Sequence, residues 1–293
     1  MTTPAPIYTP QNVSPAYQLN WGLTIFWRQS SVPDSEWLAA LQTATEPDGV
    51  RVLKHRFIDN DASQFFVSTK PHVAPAQMIR TVKGRLQYLI RDQQPKAFQR
   101  NYSVRSIGAA TRSVVEDYVA RQTERHTMAD PRVQNLFQQY QKTYSGHDLS
   151  QPVLSAHGQY WYNLHLVLVN EDRWREVRPD VLDSLIQMIE RVAAKYGHRL
   201  SRVGLLADHI HTTLGCTIDQ SPEEIALSYL NNCAYAIGMK PVFQFGYYAG
   251  TIGEYDRGAV LFFKPAVHRR EAGWGRGSVG LGCCSFQTCD PPA

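Results

Sequence analysis

The chain has no apolar run approaching the ~20 residues that a membrane-spanning helix needs. Its opening, MTTPAPIYTPQNVSP, shows neither the basic start nor the apolar stretch of an export signal. Residues 1–16 are expected to be a flexible lead, and the protein to be cytoplasmic and unattached to membranes. Cysteine is scarce, with five in 293 residues, three of them crowded into GCCSFQTCDPPA near the end. They lack the paired spacing of a zinc module or of a secreted disulfide framework, so residues 271–293 read as a flexible Gly- and Cys-containing tail. Strong net charge is also absent, at +4, yet residues 80–125 hold ten Lys and Arg against four acids. On charge alone that excess is either a solvated face or a surface that tracks phosphates.

What is present is a repeat. The alternating strand YNLHLVLV at 162–169 has a second copy in LNWGLTIF at 19–26, with Asn20 opposite Asn163. Each is followed by a helix opened by Pro-Asp, at Pro33-Asp34 and Pro179-Asp180. Then come paired strands (50–61 and 198–209), further apolar runs (FFVST and TTLGC), and helices opened by Ala-Pro and Ser-Pro. Finally NYSVRSIG at 101–108 matches GYYAGTIG at 246–253. The order strand, helix, strand, strand, helix, strand, final helix predicts an α+β fold. It would comprise two tandem ferredoxin-like or RRM-like units, each an antiparallel sheet with helices packed on it. We place the units at 17–125 and 158–270, with a polar linker at 126–157.

Two histidines stand in ADHIHTTLG at 207–215. On a strand His209 and His211 share a face while Ile210 points the other way, a usable pair of metal ligands. HTTL also fits the His-x-Thr signature of two-histidine phosphoesterases, but the second copy, HTMA at 126–129, lies in the linker. Further along the first unit, Ser113-x-x-Glu116 reads as a capping box, and Val114, Tyr118 and Gln122 form one i, i+4 row. Val115 and Val119 make the apolar stripe beside it, leaving Tyr118 at the edge of the polar face near Arg121.

Taken in order, ADHIHTTLG, a Ser-Pro helix and FGYYAGTIG resemble the single-tyrosine HUH transposases, the insertion-sequence and REP-associated enzymes that cut and rejoin single-stranded DNA. The resemblance covers both units and implies metal ligands at the His-hydrophobic-His strand. It also implies a nucleophilic tyrosine on the helix after the YxxSTxG-like strand, with a glutamine four residues on. The two copies then differ. The second keeps His209 and His211 but has Phe263, followed by Pro265, where the tyrosine belongs. The first has Ala62 and Gln64 in place of the histidines, with Asp61 and Ser63 the choice after a one-residue slip, but keeps Tyr118 and Gln122.

The resemblance therefore implies a fused pseudo-dimer with one composite site. Tyr118 would be nucleophile, and His209, His211 and Gln122 would hold Mg2+ or Mn2+. The partner would be single-stranded DNA, with hairpin ends, bound through Lys83, Arg85, Arg105, Arg112, Arg121, Tyr102 and Tyr248, in a nucleoid-associated protein. A monomer is expected, with an exchanged homodimer as the other arrangement. The rival reading is an inactive, domesticated protein that only binds hairpin DNA.

Overall fold

The computed structural model describes residues 5–58, 61–125, 128, 130–238 and 241–253. In chain order the first unit holds β1 (Ser14–Gln18), β2 (Asn20–Trp27), α1 (Leu38–Thr45), β3 (Val50–Ile58), β4 (Ala62–Thr69), α2 (Pro75–Ile90), β5 (Phe98–Ile107) and α3 (Arg112–Ala120). A connecting region follows with α4 (Gln122–Arg125), α5 (Pro131–Gln138), β6 (Gln141–Thr143) and β7 (Val153–Ser155). The second unit holds β8 (Gly158–Trp161), β9 (Asn163–Val169), α6 (Pro179–Tyr196), β10 (Arg199–Leu205), β11 (His209–Gly215), α7 (Pro222–Ala236) and β12 (Gly246–Thr251).

Local chemistry explains the main elements. In β2 burial alternates, with Trp21, Leu23, Ile25 and Trp27 inward. Helix α2 starts on Pro75 and turns Met78, Ile79, Val82, Leu86 and Ile90 to the core. Helix α6 buries Leu182, Leu185, Ile186 and Ile189 and stops at Gly197, whose φ of 71° suits the left-handed cap. A capping box of Ser221 and Glu224 opens α7.

The strands form two six-stranded sheets, in the orders β3-β4-β2-β5-β8-β7 and β6-β10-β11-β9-β12-β1. Each has a ferredoxin-like four-strand centre, β3-β4-β2-β5 or β10-β11-β9-β12, built from β-α-β-β-α-β. The copies agree in detail. Both carry a register shift at the same place, between Val52 and Lys54 and between Leu200 and Arg202. The same backbone hydrogen bonds also close both, Trp27 to Asp61 and Asn170 to Asp208, Thr69 to Leu19 and Cys216 to Tyr162.

The units exchange their edges. β1 adds in parallel to β12 of the second unit, and its counterpart β8 adds in parallel to β5 of the first. At the junction Ser106 Oγ donates to Ile252 O and Thr251 Oγ1 to Ile107 O, both at 2.6 Å. Asn20 N donates to Thr251 Oγ1 just as Asn163 N donates to Ser106 Oγ. Such reciprocal pairs mark a local two-fold axis within one chain. Gly108 and Gly253 sit there because an added Cβ would lie 2.5 Å from Thr251 O and 2.0 Å from Ser106 O. One apolar core runs through both units.

This exchange moves the expected boundaries. Residues 1–16, expected to be a flexible lead, include the start of β1 and the buried Tyr8, whose hydroxyl donates to Phe243 O at 2.9 Å. The expected linker, 126–157, carries α5, and its β6 and β7 extend the two sheets. The physical reason is the same in each case: an open sheet edge recruits the nearest extended segment. The tail 271–293, and with it Phe263 and Pro265, lies outside the described residues. Among the described residues no helix is long and apolar enough to cross a membrane.

The rings of His55 and His198 are enclosed, and burial pushes both below the usual 6.5, outweighing the upward pull of Asp34 on the first and of Gln220 on the second. Below 6.5 the unfolded chain takes up protons that the folded chain refuses, so stability falls as pH drops through that value. The melting temperature is expected to fall between about pH 7.5 and about pH 5, and less steeply in His198→Gln. A scan against pH checks this; an unchanged slope in the variant would remove His198 from the explanation.

Candidate active site

The sheet face of β9, β11 and β12 that turns away from α6 and α7 is the one that matters. Strand alternation puts His209, His211 and Thr213 on it, and the pairing Thr213 to His165 adds a third histidine from β9. The face is covered, so β11 is buried from end to end. Its cover is α3, which leaves β5 of the first unit and lies across β10 and β11 of the second.

Two devices dock that helix. The buried Glu116 pairs with Arg112 on its own helix and accepts a hydrogen bond from Ser201 Oγ on β10. Gly204, which pairs with His211, leaves room beneath it: an added Cβ would stand 3.0 Å from Val119 O and 2.8 Å from Gln141 Oε1. The expected capping box is absent. Thr111 is the N-cap, accepting from Val114 N, because Glu116 is spent on the sheet contact. Gly204→Val is expected to lift α3 at a cost of about 1–3 kcal/mol. The melting temperature should then fall, with the far-UV circular dichroism unchanged. An unchanged melting temperature in that variant would show the close approach to be unimportant.

Docked in this way, Tyr118 lies edge-on to His211 at 5.6 Å and to His165 at 6.3 Å between ring centroids. Arg125 stands 5.2 Å from the Tyr118 ring centre. The helix breaks at Arg121, and Gln122 opens α4, fully buried, with its Nε2 donating to Tyr118 O at 2.9 Å. Its Oε1 has no hydrogen-bond partner among the described residues, and its Cγ packs 3.4 Å from the position a Cβ on Gly204 would take, beside His211.

The imidazoles are oriented from behind. Asp208 Oδ1 is 2.6 Å from His209 Nδ1, and Asp208 is also tied to Arg173 at 2.9 Å. Burial alone would raise the Asp208 carboxyl; the His209 ring and the Arg173 guanidinium outweigh it and hold the carboxyl down at about 2. His165 Nε2 is 2.9 Å from His211 Nδ1, and burial pushes His165 down to about 4, so it stays neutral. In each ligand candidate the hydrogen bond uses Nδ1, which leaves Nε2 as the nitrogen for a metal. Among the described residues no group of three or more His, Cys, Asp or Glu could hold an ion. A third protein donor would therefore be the amide oxygen of Gln122, a buried acceptor without a partner. These donors fit a divalent ion.

Sequence reasoning missed Asp208 and His165. Both were visible as signals: an acid immediately before the histidine motif, and a lone histidine in an apolar strand. In the first unit the register puts Ala62 and Gln64 at the positions of His209 and His211, as the repeat implied. There Arg56 replaces Gly204, and its Nε bonds Gln64 Oε1 at 2.6 Å.

The family model for IS200-like transposases matches residues 34–122 and 159–260, the first match ending on Gln122 and the second spanning both histidine strands. The chain belongs to the IS200-like transposase family. Among solved structures it is similar to a "putative transposase" from Deinococcus radiodurans R1, at 16% identity over 36% of this chain and 92% of that one, with a TM-score of 0.29. It is also similar to an unknown protein from Galdieria sulphuraria, at 8% identity over 81% of this chain and 99% of that one, with a TM-score of 0.20. No curated protein matches the chain.

The expected DNA contacts of this transposase-family chain fall into groups. Arg105 and Arg112 line one cleft. Tyr248 borders the histidines, 5.8 Å from the His165 ring, and burial pushes its phenol up. Arg121 caps α3 and is exposed. Tyr102 is half-buried with its hydroxyl 3.0 Å from Ser155 Oγ. Lys83 and Arg85 stand on α2, where Lys83 donates to Gln99 O at 2.7 Å and Arg85 pairs with Asp48 at 3.0 Å. Gln99 is at the far end of β5 from α3, so Lys83 is not gathered with the others.

Proposed function

We propose that this transposase-family chain nicks and rejoins single-stranded DNA through a covalent 5′-phosphotyrosine at Tyr118, in one composite site made by both units of a fused pseudo-dimer. The observation that carries the reading is the docking of the Tyr118 helix from the unit without the histidine pair onto the histidine face of the unit that has it.

The Tyr118 oxygen attacks the scissile phosphorus, forming the tyrosyl phosphodiester as the bond to the 3′ oxygen breaks. The phenol gives up its proton and the leaving 3′ oxygen takes one up, so a free 3′ hydroxyl remains and the bond energy is kept for rejoining. His209, His211 and Gln122 would hold Mg2+ or Mn2+, imidazoles favouring the softer manganese; the bound ion would supply charge neutralisation at the phosphate. Asp208 and His165 fix the ring orientations, and Glu116 and Gly204 fix the helix.

The test is a denaturing gel of single-stranded hairpin oligonucleotides, labelled on the 3′ side of candidate cuts, incubated with the protein and manganese. A protein-bound labelled band is expected, lost with chelator. Binding without any such band would favour the inactive hairpin-binding reading.

A further inference from the structure

Beside the N-terminus of α3, where the two units meet, lies a cleft open to solvent and lined by Arg105, Arg112, Leu149, Ser150, Trp161, Asn163 and Gly253. Three features make it more than a crevice. The Arg105 guanidinium lies 4.2 Å from the Trp161 ring centre, and Trp161 is pinned by its Nε1 donating to Ser150 O at 2.7 Å. Arg112 is held in place by Glu116. Asn163 is 1% exposed, and its amide is oriented because Nδ2 donates to Leu149 O at 2.9 Å. Its Oδ1 is therefore an acceptor, and it has no partner among the described residues.

A buried acceptor without a donor is costly, and it asks for a ligand that can donate a hydrogen bond. A phosphodiester has no donor to give, whereas every natural nucleobase has an N–H on its pairing edge. The flat Arg105 and Trp161 pair is a stacking platform, and two guanidiniums suit a phosphodiester. We propose that this cleft holds one unpaired nucleotide of the DNA strand, its base stacked on the Arg105–Trp161 pair and donating to Asn163 Oδ1, its phosphate beside Arg105 and Arg112. Arg112 and Tyr118 are six residues apart on one helix, about 9 Å along its axis, so the nucleotide held is one flanking the cut. The assignment deepens the single-strand reading above and rests on it.

The test uses the full chain carrying Tyr118→Phe, so that no cleavage intervenes, without added metal. Fluorescence anisotropy measures binding of oligothymidylate and of an abasic strand of equal length. Trp161→Ala and Asn163→Leu are expected to weaken oligothymidylate about tenfold or more, Trp161→Phe much less, and none of them to change binding of the abasic strand. Equal losses on both strands, or no loss on oligothymidylate, would overturn the proposal, as would failure of the Tyr118→Phe chain to bind oligothymidylate at all. Should the cleft variants behave as expected while wild type forms no covalent species, the cleavage reading fails and the cleft stands. Should wild type form the covalent species while these variants bind normally, only the cleft is lost.

Discussion

Tyr118→Phe is expected to lower the covalent protein–DNA species at least about a thousandfold, whereas Tyr248→Phe leaves it within about threefold of wild type. Both tyrosines border the histidine face, so proximity alone does not choose between them. Tyr118 is half-buried on a helix, edge-on to His211, with the Arg125 guanidinium over its ring. Tyr248 stands on β12, its ring leaning over Gly250, where burial pushes its phenol up and away from the ionised form an attack requires. The phenylalanine ring preserves the packing of α3 on the sheet, so its loss of activity would be chemical. An undiminished band in Tyr118→Phe would sink the assignment; a loss confined to Tyr248→Phe would transfer it.

Mixing a Tyr118→Phe chain with a His211→Ala chain is expected to restore nothing: the mixture should show only the sum of the two residual activities. The docked helix and the histidine pair belong to one chain, and nothing in that arrangement needs a second copy. In an exchanged homodimer, by contrast, half the sites of a mixed dimer would be intact, and about a quarter of wild-type activity would return. Preparing the mixture by joint refolding as well as by simple mixing keeps slow exchange from hiding that recovery. Recovery would show that α3 changes partners between chains in solution.

Much of this is legible in the sequence. The two-unit α+β organisation followed from ordered pairs of motifs, and the register of both sheets bears out Ala62 and Gln64 as the counterparts of His209 and His211. Tyr118 and Gln122 could be singled out because the resemblance implies a tyrosine on the helix after the YxxSTxG-like strand, with a glutamine four residues on. Other parts were not legible. Ser113 and Glu116 fit a capping box by spacing, but Glu116 is drawn off to Ser201, a residue 85 positions away in sequence. By spacing Gln122 continues an i, i+4 row at the edge of one helix, yet the helix breaks at Arg121 and Gln122 is fully buried.

The sequence alone determined the repeat, the order of its elements and which half kept which residues, because alternation, helix starts and turn chemistry act over a few positions at a time. Only the tertiary structure decided that Tyr118 and the histidine pair meet. That depends on the exchange of β1 and β8 between sheets, on a two-fold axis through Ser106 and Thr251, and on Gly204 admitting α3 against β10. These are long-range contacts, set by which open edge and which uncovered face a segment finds when the chain closes on itself, and no local pattern encodes them.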